Sequence, residues 1–454
     1  MTGILRSQWM AATASLLLGL AFPALAAPQY DRQPAQKQEV PQPAKKSKKK
    51  DKEEAAQQGP QLSKEFRQLA QESSKLANDK KWAELLASLP ALEALPALNA
   101  DEKKIIATWR LQATQALGEP EAFAAAIETF LNEGYAEPEQ LGPMHRQLAS
   151  HYNNKKERAK AAEHFQKFVD VTTDPQPDEL ETLGRLHRLN SDFVACGKAL
   201  GKSIELSVSR RESPKEELFA IRDDCYYKVK DNAGRLDNLE QLIVYYPDKK
   251  YYSNMTNLLR NVTQDDRMVM LNAYRLAVSD PRGGLAVVGD YYSYSDLARN
   301  AGSSGEAVRA LQRGMKDKIV PDVGTNLQAL KEAQAEVQAD KKTLAAEAAA
   351  AQKNAKGEVA VKVGLGHYSA GEWAKAADLV RQGIAKGNVA RLDEANLLLG
   401  AALLQAGNRN EARAAFEAAQ AAARAGHLAR IARMWMAIAA REEAPDAQAA
   451  TPGG

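Results

Sequence analysis

The sequence predicts an all-α protein, a solenoid built from repeated helix pairs. Ala, Leu, Glu, Lys and Gln dominate its 454 residues, and these side chains lose little freedom in a helix, while aromatic residues make up only 6%. No convincing series of alternating apolar and polar residues predicts strands. A pattern of small and large apolar residues recurs along the chain, as the crossing of two paired helices requires.

Residues 1–26 have the form of a secretory signal peptide. Arg6 precedes an apolar run from Ala11 to Leu25, and cleavage is expected after Ala26, at a small-x-small site. The run is about fifteen residues long, shorter than the roughly 20 needed to cross a bilayer, so an uncleaved anchor is the less favoured alternative. We expect an exported protein in the periplasm of a Gram-negative bacterium, without stable membrane insertion.

Residues 27–60 form a spacer rich in Pro, Gln and Lys, with a lysine run from Lys45 to Lys50. Such a segment buries too little apolar surface to offset its ordering entropy, so we expect it to be disordered. The lysine run is interpreted as a solvated tether, with contact to anionic headgroups as the alternative. Residues 442–454 are expected to form a second disordered tail.

A degenerate array of helix pairs is predicted for residues 61–320. Its clearest pair has small and large apolar residues where two helices would cross: Leu148, Ala149 and Tyr152 on the first helix, and Ala161, Phe165 and Phe168 on the second. Weaker copies are centred on Trp82, on Gly118 to Phe130, on Leu183 to Cys196, and on Glu306 to Gly314.

One long polar helix is predicted to connect this array to the C-terminal repeats, within residues 321–356. The segment from Asn326 to Lys353 holds no Gly or Pro and has only a thin apolar stripe. A helix this polar is expected to bridge two helical modules rather than lie inside one.

Residues 357–441 carry the clearest repeats. A helix from Ala395 to Gln405 is predicted to turn at Ala406 to Asn410 into a second helix from Glu411 to Ala423. Small residues at Gly400 and Ala412 allow the two helices to approach closely.

These helix pairs resemble the tetratricopeptide repeat (TPR) family, whose unit is roughly 34 residues. The positions that carry the resemblance are Leu399, Gly400, Leu403, Ala412, Phe416 and Ala419, and in the preceding unit Val363, Gly364, Gly371, Ala376, Val380 and Gly383. The resemblance implies a protein-binding superhelix whose inner side is lined by the first helix of each pair. That side would carry Arg146, Ser150 and Asn153, then Val361, Leu365 and Tyr368, and finally Leu397, Ala401 and Leu404. The alternative is that some of these residues pack against a neighbouring helix.

The residues that usually carry chemistry form no catalytic or metal-binding pattern. The six histidines form no H-E-x-x-H unit or zinc-ligand cluster, and the chain lacks a P-loop and a G-x-S-x-G elbow. A net charge of +3, from 61 basic against 58 acidic residues, predicts no general affinity for nucleic acid. We therefore expect a non-enzymatic protein with no cofactor or metal, and no small-molecule ligand.

Cys196 and Cys225 are the only cysteines. An exported protein can join such a pair, but bridging requires Cα atoms within about 7 Å. The spacing leaves both states open and favours two separate buried thiols.

Ten of the fourteen tyrosines fall between Tyr226 and Tyr294. Tyrosine is favoured at interfaces because it combines an apolar ring with a polar tip, although core packing could explain half of these. Together with the inner side of the repeats, this clustering gives the candidate partner-binding residues: Tyr246, Tyr251, Tyr252, Tyr292, Arg146, Asn153, Tyr368 and Leu397.

Residues 236–320 also resemble the periplasmic TPR proteins that accompany TonB-type systems. In those proteins a helix ending in tyrosine-proline-x-lysine precedes an aromatic pair; here the segments are Tyr246-Pro247-Asp248-Lys249 and Tyr251-Tyr252, where the family has Tyr-Trp. The likeness extends loosely from Leu62 to Val320. It implies an adaptor that contacts TonB-system components during outer-membrane transport. The alternative hypothesis is a structural scaffold in cell-envelope or outer-membrane assembly; both bind envelope proteins or peptides.

Overall fold

The computed structural model describes residues 60–264, 266–423 and 426–441, which form twenty-one α-helices and no β-strand. The predicted all-α fold of paired helices is confirmed. The predicted signal peptide (1–26), the spacer up to residue 59 and the tail (442–454) lie outside the described residues. The chain divides into two compact units, one ending at Pro175 and the other beginning at Gln176.

The described part of the first unit contains six helices. They are α1 (Lys64–Asn78), α2 (Trp82–Glu93), α3 (Ala100–Leu117), α4 (Pro120–Asn132), α5 (Pro138–Asn154) and α6 (Arg158–Val171). Local sequence fixes the start of α3: the Asn99 side chain accepts from the Glu102 amide, and the Glu102 carboxylate accepts from the Asn99 amide. The six apolar residues predicted to join α5 to α6 are all buried.

The second unit contains fifteen helices in the residues described. They are α7 (Pro177–Leu189), α8 (Phe193–Ser209), α9 (Glu216–Lys228), α10 (Asn232–Tyr245), α11 (Lys249–Thr263), α12 (Arg267–Ser279), α13 (Val288–Asn300), α14 (Ser304–Lys316), α15 (Gly324–Lys341), α16 (Leu344–Lys353), α17 (Gly357–Ser369), α18 (Trp373–Lys386), α19 (Leu392–Gln405), α20 (Arg409–Ala423) and α21 (His427–Ala440).

The pair α19–α20 packs as its small and large residues predict. A Cβ atom on Gly400 would lie only 2.4 Å from the Phe416 ring, so only glycine allows this approach. The pair α17–α18 is built alike, since a Cβ on Gly364 would lie 2.6 Å from Val380. Both predicted turns contain a glycine in the left-handed region, Gly371 (φ 79°) and Gly407 (φ 84°).

The predicted long connecting helix is two helices in the structure. α15 ends at Lys341 and α16 begins at Leu344, although no Gly or Pro lies between them. The break allows α16 to turn onto α17, where Leu344 packs over Gly366 and is buried. Tertiary packing therefore overrides a uniformly helical local sequence.

Cys196 of α8 and Cys225 of α9 form a disulfide, with their Cα atoms 6.3 Å apart. The sequence favoured two separate thiols, so the structure corrects this expectation. The bridge forms because α8 packs against α9 and both cysteines lie fully buried in the contact between them.

The C-terminal array, α17 to α21, packs back onto earlier helices of its own unit. α21 contacts α10 and α12 in addition to α20, and α17 contacts α14 directly, bypassing α15 and α16. At the second contact the Gly305 amide donates to Ser369 Oγ over 2.9 Å. The predicted division between residues 61–320 and 357–441 is thus not the one in the structure, because these contacts join α7 to α21 into one compact unit. We call the surface where α17–α21 meet α10–α14 the seam.

Candidate functional site

Four tyrosines of the tyrosine-rich region belong to the core. Tyr252, Tyr274, Tyr291 and Tyr294 are at most 3% exposed. Their hydroxyl groups are hydrogen-bonded: that of Tyr252, for example, donates to Asp280 Oδ2 over 2.6 Å. Burial raises the pKa of Tyr252 well above its ordinary value, and the Asp280 charge adds to this rise.

Three of the candidate partner-binding residues are also buried. Tyr252, Tyr368 and Leu397 are 0%, 2% and 1% exposed. A partner cannot reach these side chains without displacing the helices that cover them, so the structure gives them packing roles. The prediction of direct surface contact is corrected for these three.

The other tyrosine candidates lie nearer the surface. Tyr246 is half-buried and donates its hydroxyl to the Pro214 carbonyl over 2.6 Å, which fixes the end of α10. The Tyr251 hydroxyl donates to Glu216. Tyr292 is 38% exposed and donates to Asn326 Oδ1 over 2.8 Å. Their proposed contact with a partner stays a prediction.

Arg146 and Asn153 lie in the first unit, on α5. Arg146 is exposed, with its guanidinium carbon 5.3 Å from the centre of the Phe168 ring, and Asn153 is half-buried. Both remain accessible to a partner, and their role also stays a prediction.

A histidine pair lies on the same hairpin as these two residues. His145 Nδ1 is 3.1 Å from His164 Nδ1. Burial lowers the pKa of both rings. Within the described ranges no group of three or more His, Cys, Asp or Glu side chains is arranged to hold a metal.

The inner side of the C-terminal array packs against earlier helices of the chain, since α21 contacts α10 and α12, and α17 contacts α14. Nine consecutive residues of α12, Val269 to Ala277, are buried, so every face of this helix is covered. Tyr368 of α17 contacts it: the Arg275 guanidinium lies 5.6 Å from the Tyr368 ring. Leu397 and Ala401 of α19 are buried in the same apolar cluster. The residues predicted to line an open groove therefore pack against a neighbouring helix, the alternative left open by the sequence.

A buried ion pair anchors α12 on its other side. Arg275 donates to both carboxylate oxygens of Glu306 on α14 over 2.7 and 2.8 Å, and both side chains are almost fully buried. Burial alone would raise the pKa of Glu306, but the Arg275 charge and hydrogen bonds hold it well below its usual range. This pair is fully engaged and serves the packing of α12.

Arginines of α21 join the C-terminal array to α10 across the seam. Arg430 and Arg433 both donate to the Glu240 carboxylate of α10, over 2.7 to 2.9 Å. Just beyond α21, Arg441 pairs with Asp280, which also accepts from the hydroxyl of Tyr252. At these contacts the seam is therefore basic on the side of the C-terminal array and acidic on the side of α10 and α12.

Glu394 lies at the start of α19, beside the seam. Burial, with Asp393 and Asp266 adding to the rise and Arg391 and Arg275 opposing it, raises its pKa to about 7. Although Arg391 Nη2 is 2.8 Å from Glu394 Oε1, the approach is not aligned as a hydrogen bond. Near neutral pH this side chain is shared between its protonated and ionised forms.

One face of α11 is exposed to solvent. The exposed residues of α11 are Lys250, Asn254, Asn257 and Asn261, which follow one another along a single side of the helix. Within the described residues none of the three asparagine side chains has a hydrogen-bond partner. We call these four residues the asparagine face.

Charged side chains link the helices next to this face. Lys250 Nζ lies 3.5 Å from Glu216 Oε1 on α9. Helix α9 is joined to α7 by two further ion pairs, Arg185–Glu217 at 3.2 Å and Arg188–Asp224 at 2.8 Å. The three helices thus present ordered polar groups next to each other.

Sequence reasoning missed the seam arginines and the asparagine face. Arg430 and Arg433 had no local signal, because their partner lies on a distant helix. The segment of α12 did carry one: apart from Asn272 and Arg275, residues 268–278 are all apolar, which indicates burial on most sides. Within the described ranges, no helix is both long enough and apolar enough to cross a membrane.

Comparisons with known proteins return helical-repeat structures. No protein-family model and no curated protein matches the chain. It is similar to the TPR2AB domain of yeast Sti1 in its pHSP90 complex, at 11% identity, covering 66% of this chain and 99% of that one, with a TM-score of 0.21. It is also similar to a tetratricopeptide repeat protein from Parabacteroides merdae, at 11% identity. That match covers 65% of this chain and 99% of the other, with a TM-score of 0.23. A third similar structure is the C-terminal part of a TPR repeat-containing protein from Cytophaga hutchinsonii. It is 11% identical, covers 71% of this chain and 96% of its own, and has a TM-score of 0.24. The helix-pair packing described above, rather than these low scores, establishes the fold class.

Proposed function

We propose that this protein is a non-enzymatic adaptor that binds segments of other proteins along the asparagine face. The observation that carries the proposal is the row of three unpaired amides on α11. Each primary amide offers two donors and one acceptor, the same groups that a peptide bond needs in return. Helical repeats provide extended surfaces for such contacts.

The surroundings of the face favour an extended polypeptide as the ligand. Amides on successive turns can hold main-chain groups without selecting a side chain, and the charge of Lys250 on the same face can then select among sequences. Tyr292 on α13 supplies a partly exposed ring to an apolar side chain. Recognition of this kind needs no catalytic group.

We further propose that the adaptor works in the periplasm. The Cys196–Cys225 disulfide supports this, because structural disulfides are favoured in oxidising compartments outside the cytoplasm. The signal-peptide pattern of residues 1–26 supports it independently.

Within that compartment we propose a role in TonB-dependent transport. The support is the order of motifs from Leu239 to Tyr252, which is similar to that of TonB-associated TPR proteins. In the structure Asp248 of this motif caps α11, and its side chain accepts from the Lys250 amide over 2.8 Å. The motif therefore also sets the start of the helix that carries the asparagine face.

Site-specific crosslinking tests the proposal. A photoreactive residue at Asn257 should capture a discrete envelope protein in the native host, while one at exposed Gln312 on α14 should not. Recovery of TonB-system components would support the transport role. Recovery of outer-membrane assembly proteins would replace it with the scaffold role, and equal capture from both positions would contradict binding at the asparagine face.

A further inference from the structure

Two neighbouring helix turns expose apolar side chains. Leu189 and Val194 flank the turn between α7 and α8, and Tyr227 and Val229 lie at the turn between α9 and α10. Tyr227 is 61% exposed, more than any other large apolar side chain in the described part of the chain. Removing such groups from water is favourable. We call these four residues the apolar edge.

The two turns lie side by side. Arg188 Nη2 donates to Asp224 Oδ2 over 2.8 Å, which joins the end of α7 to the end of α9. A Cβ atom on Gly197 would lie 2.7 Å from the Tyr226 ring, so the start of α8 also lies against the end of α9. Two members of the apolar edge directly follow Arg188 and Tyr226 in the chain. The four exposed side chains therefore belong to one surface.

Covalent and polar contacts hold the apolar edge in place from behind. The disulfide joins Cys196 to Cys225, which are two positions from Val194 and from Tyr227. The guanidinium carbon of Arg235 lies 5.2 Å from the centre of the Tyr227 ring and supports it. The edge is thus ordered before it meets a ligand, which lowers the entropic cost of binding.

The charges next to the apolar edge favour an anionic ligand. Lys198, Lys228 and Lys230 are exposed and form no ion pair within the described residues. Lys198 follows Val194 by one helical turn, on the same side of α8. The aspartates of the two turns are engaged, two with arginines and two with backbone amides at helix starts. These are Asp223, Asp224, Asp192 and Asp231.

A lipid surface satisfies both kinds of group. Apolar side chains at a projecting turn can enter the boundary between headgroups and acyl chains, while lysines remain at the phosphates. Tyrosine is enriched at that boundary because its ring is apolar and its tip polar. Four side chains on two turns offer less than the roughly 800 Å² that each partner buries in a stable protein interface. The observations therefore favour lipid over an acidic protein.

We propose that the apolar edge, with Lys198, Lys228 and Lys230, binds an anionic phospholipid surface, so that the protein associates with a membrane without spanning it. This surface is distinct from the asparagine face. An adaptor held at a membrane in this way keeps its asparagine face available to a protein partner.

An environment-sensitive label tests contact with lipid. The chain from Ala27 onward, with its disulfide oxidised, carries Val229→Cys labelled with the fluorophore NBD. Its emission should rise when vesicles of phosphatidylglycerol and phosphatidylcholine are added, because NBD brightens on leaving water. The matched control is Val208→Cys, which is equally exposed, at 40%, but lies at the other end of α8. It should not respond.

Two pairs of substitutions in the labelled protein test the lysines. Lys228→Gln with Lys230→Gln should weaken vesicle binding by at least about tenfold. Lys341→Gln with Lys342→Gln removes the same charge from exposed positions at the end of α15 and should leave binding unchanged. The lysine run from Lys45 to Lys50 is present in every variant and contributes equally to all.

No rise at position 229, or an equal rise at position 208, would overturn the proposal. An equal response to vesicles of phosphatidylcholine alone, or equal weakening by both lysine pairs, would do the same. A response to soluble polyglutamate but not to vesicles would replace lipid with an acidic protein.

Hydrogen exchange of the unlabelled wild type gives an independent measurement. Vesicles should protect the amides of residues 188–194 and 226–231, but not those of residues 206–212; equal protection of all three segments would also contradict the proposal. Crosslinking at Asn257 is unaffected by these outcomes, so failure of the lipid proposal is distinguishable from failure of the adaptor proposal.

Discussion

Arg433 and Glu240 are 193 positions apart in the chain, yet they face each other across the seam with hydrogen bonds of 2.7 and 2.9 Å. Because Arg433 is 41% exposed, solvent screens part of this attraction. We expect Arg433→Ala to lower the free energy of unfolding by about 1 kcal/mol. Arg433→Lys should lose less, since it keeps the charge but not the two-bond geometry. Urea unfolding measures both; equal loss for the two variants would contradict a contribution from the charge, and an Arg433→Lys variant as stable as the wild type would contradict the importance of the two-bond geometry.

Gly305 is the point of closest approach between α14 and α17. A Cβ atom there would lie 1.7 Å from the Ser369 carbonyl oxygen, a clash with backbone that cannot turn aside. We expect Gly305→Ala to destabilise the second unit by about 3 kcal/mol. Gly324→Ala is the control, because nothing lies within 4 Å of its added atom, and it should be neutral or slightly stabilising. Thermal unfolding compares them, and similar midpoints would disprove the close contact.

Tyr252 is a buried tyrosine of the core and Tyr292 a partly exposed tyrosine of the surface, so substitutions at the two positions should differ in their effect on stability. The Tyr252 hydroxyl is buried and donates to Asp280, so Tyr252→Phe should cost about 1–2 kcal/mol. Tyr292→Phe, at a ring 38% exposed, should change stability by less than about 0.5 kcal/mol. If the two variants unfold at the same urea concentration, the assignment of Tyr252 to the core is incorrect.

The disulfide between Cys196 and Cys225 joins residues 29 positions apart. A loop of this length predicts that reduction lowers the free energy of unfolding by about 3 kcal/mol. The double variant Cys196→Ser, Cys225→Ser should be destabilised to a similar degree and should no longer respond to reductant. Denaturant unfolding with and without dithiothreitol gives the answer; an oxidised wild type that ignores the reductant would count against a structural bridge.

Glu394 makes stability depend on pH. The folded protein holds this proton up to about pH 7, whereas the ordinary value for the carboxyl is 4.5. The unfolded state therefore ionises first, so this residue lowers stability progressively as pH rises from about 4.5 to 7, by up to about 3 kcal/mol, with no further loss above that.

Glu394→Gln should remove this contribution and make the protein more stable than the wild type at pH 8. The control Glu417→Gln, at an exposed position, should leave the pH profile unchanged. Urea midpoints at pH 5, 6, 7 and 8 test the expectation, and parallel profiles for the wild type and Glu394→Gln would rule it out.

The helix pairs could be predicted because their contacts are local. Gly400 and Phe416 are 16 positions apart, so the spacing of small and large residues carries the information that packs them. The seam could not be predicted in the same way. No residue near Arg433 in the sequence indicates that Glu240 is its partner. No residue between Lys341 and Leu344 predicts that the helix ends there.

The candidate sites show the same limit. Adjacent tyrosines point to different sides of a helix, but the sequence does not say which one faces inward: Tyr252 is buried while Tyr251 is only half-buried. In the C-terminal repeats, Tyr368 and Leu397 were expected at an open inner side and are buried. The packing of α21 on α10 and α12 depends on contacts across more than one hundred positions, which a repeat pattern does not encode.

The return of α21 to α10 and α12 also bears on how the protein is made. Asp280 is synthesised 161 residues before Arg441, the residue with which it pairs. At roughly 5–20 residues per second, the apolar outer surface of α12 stays uncovered for about 10–30 seconds of translation. Long-range closure of this kind slows folding and exposes a nascent chain to aggregation. The surface of α12 that α21 covers is therefore buried only after α21 has been synthesised.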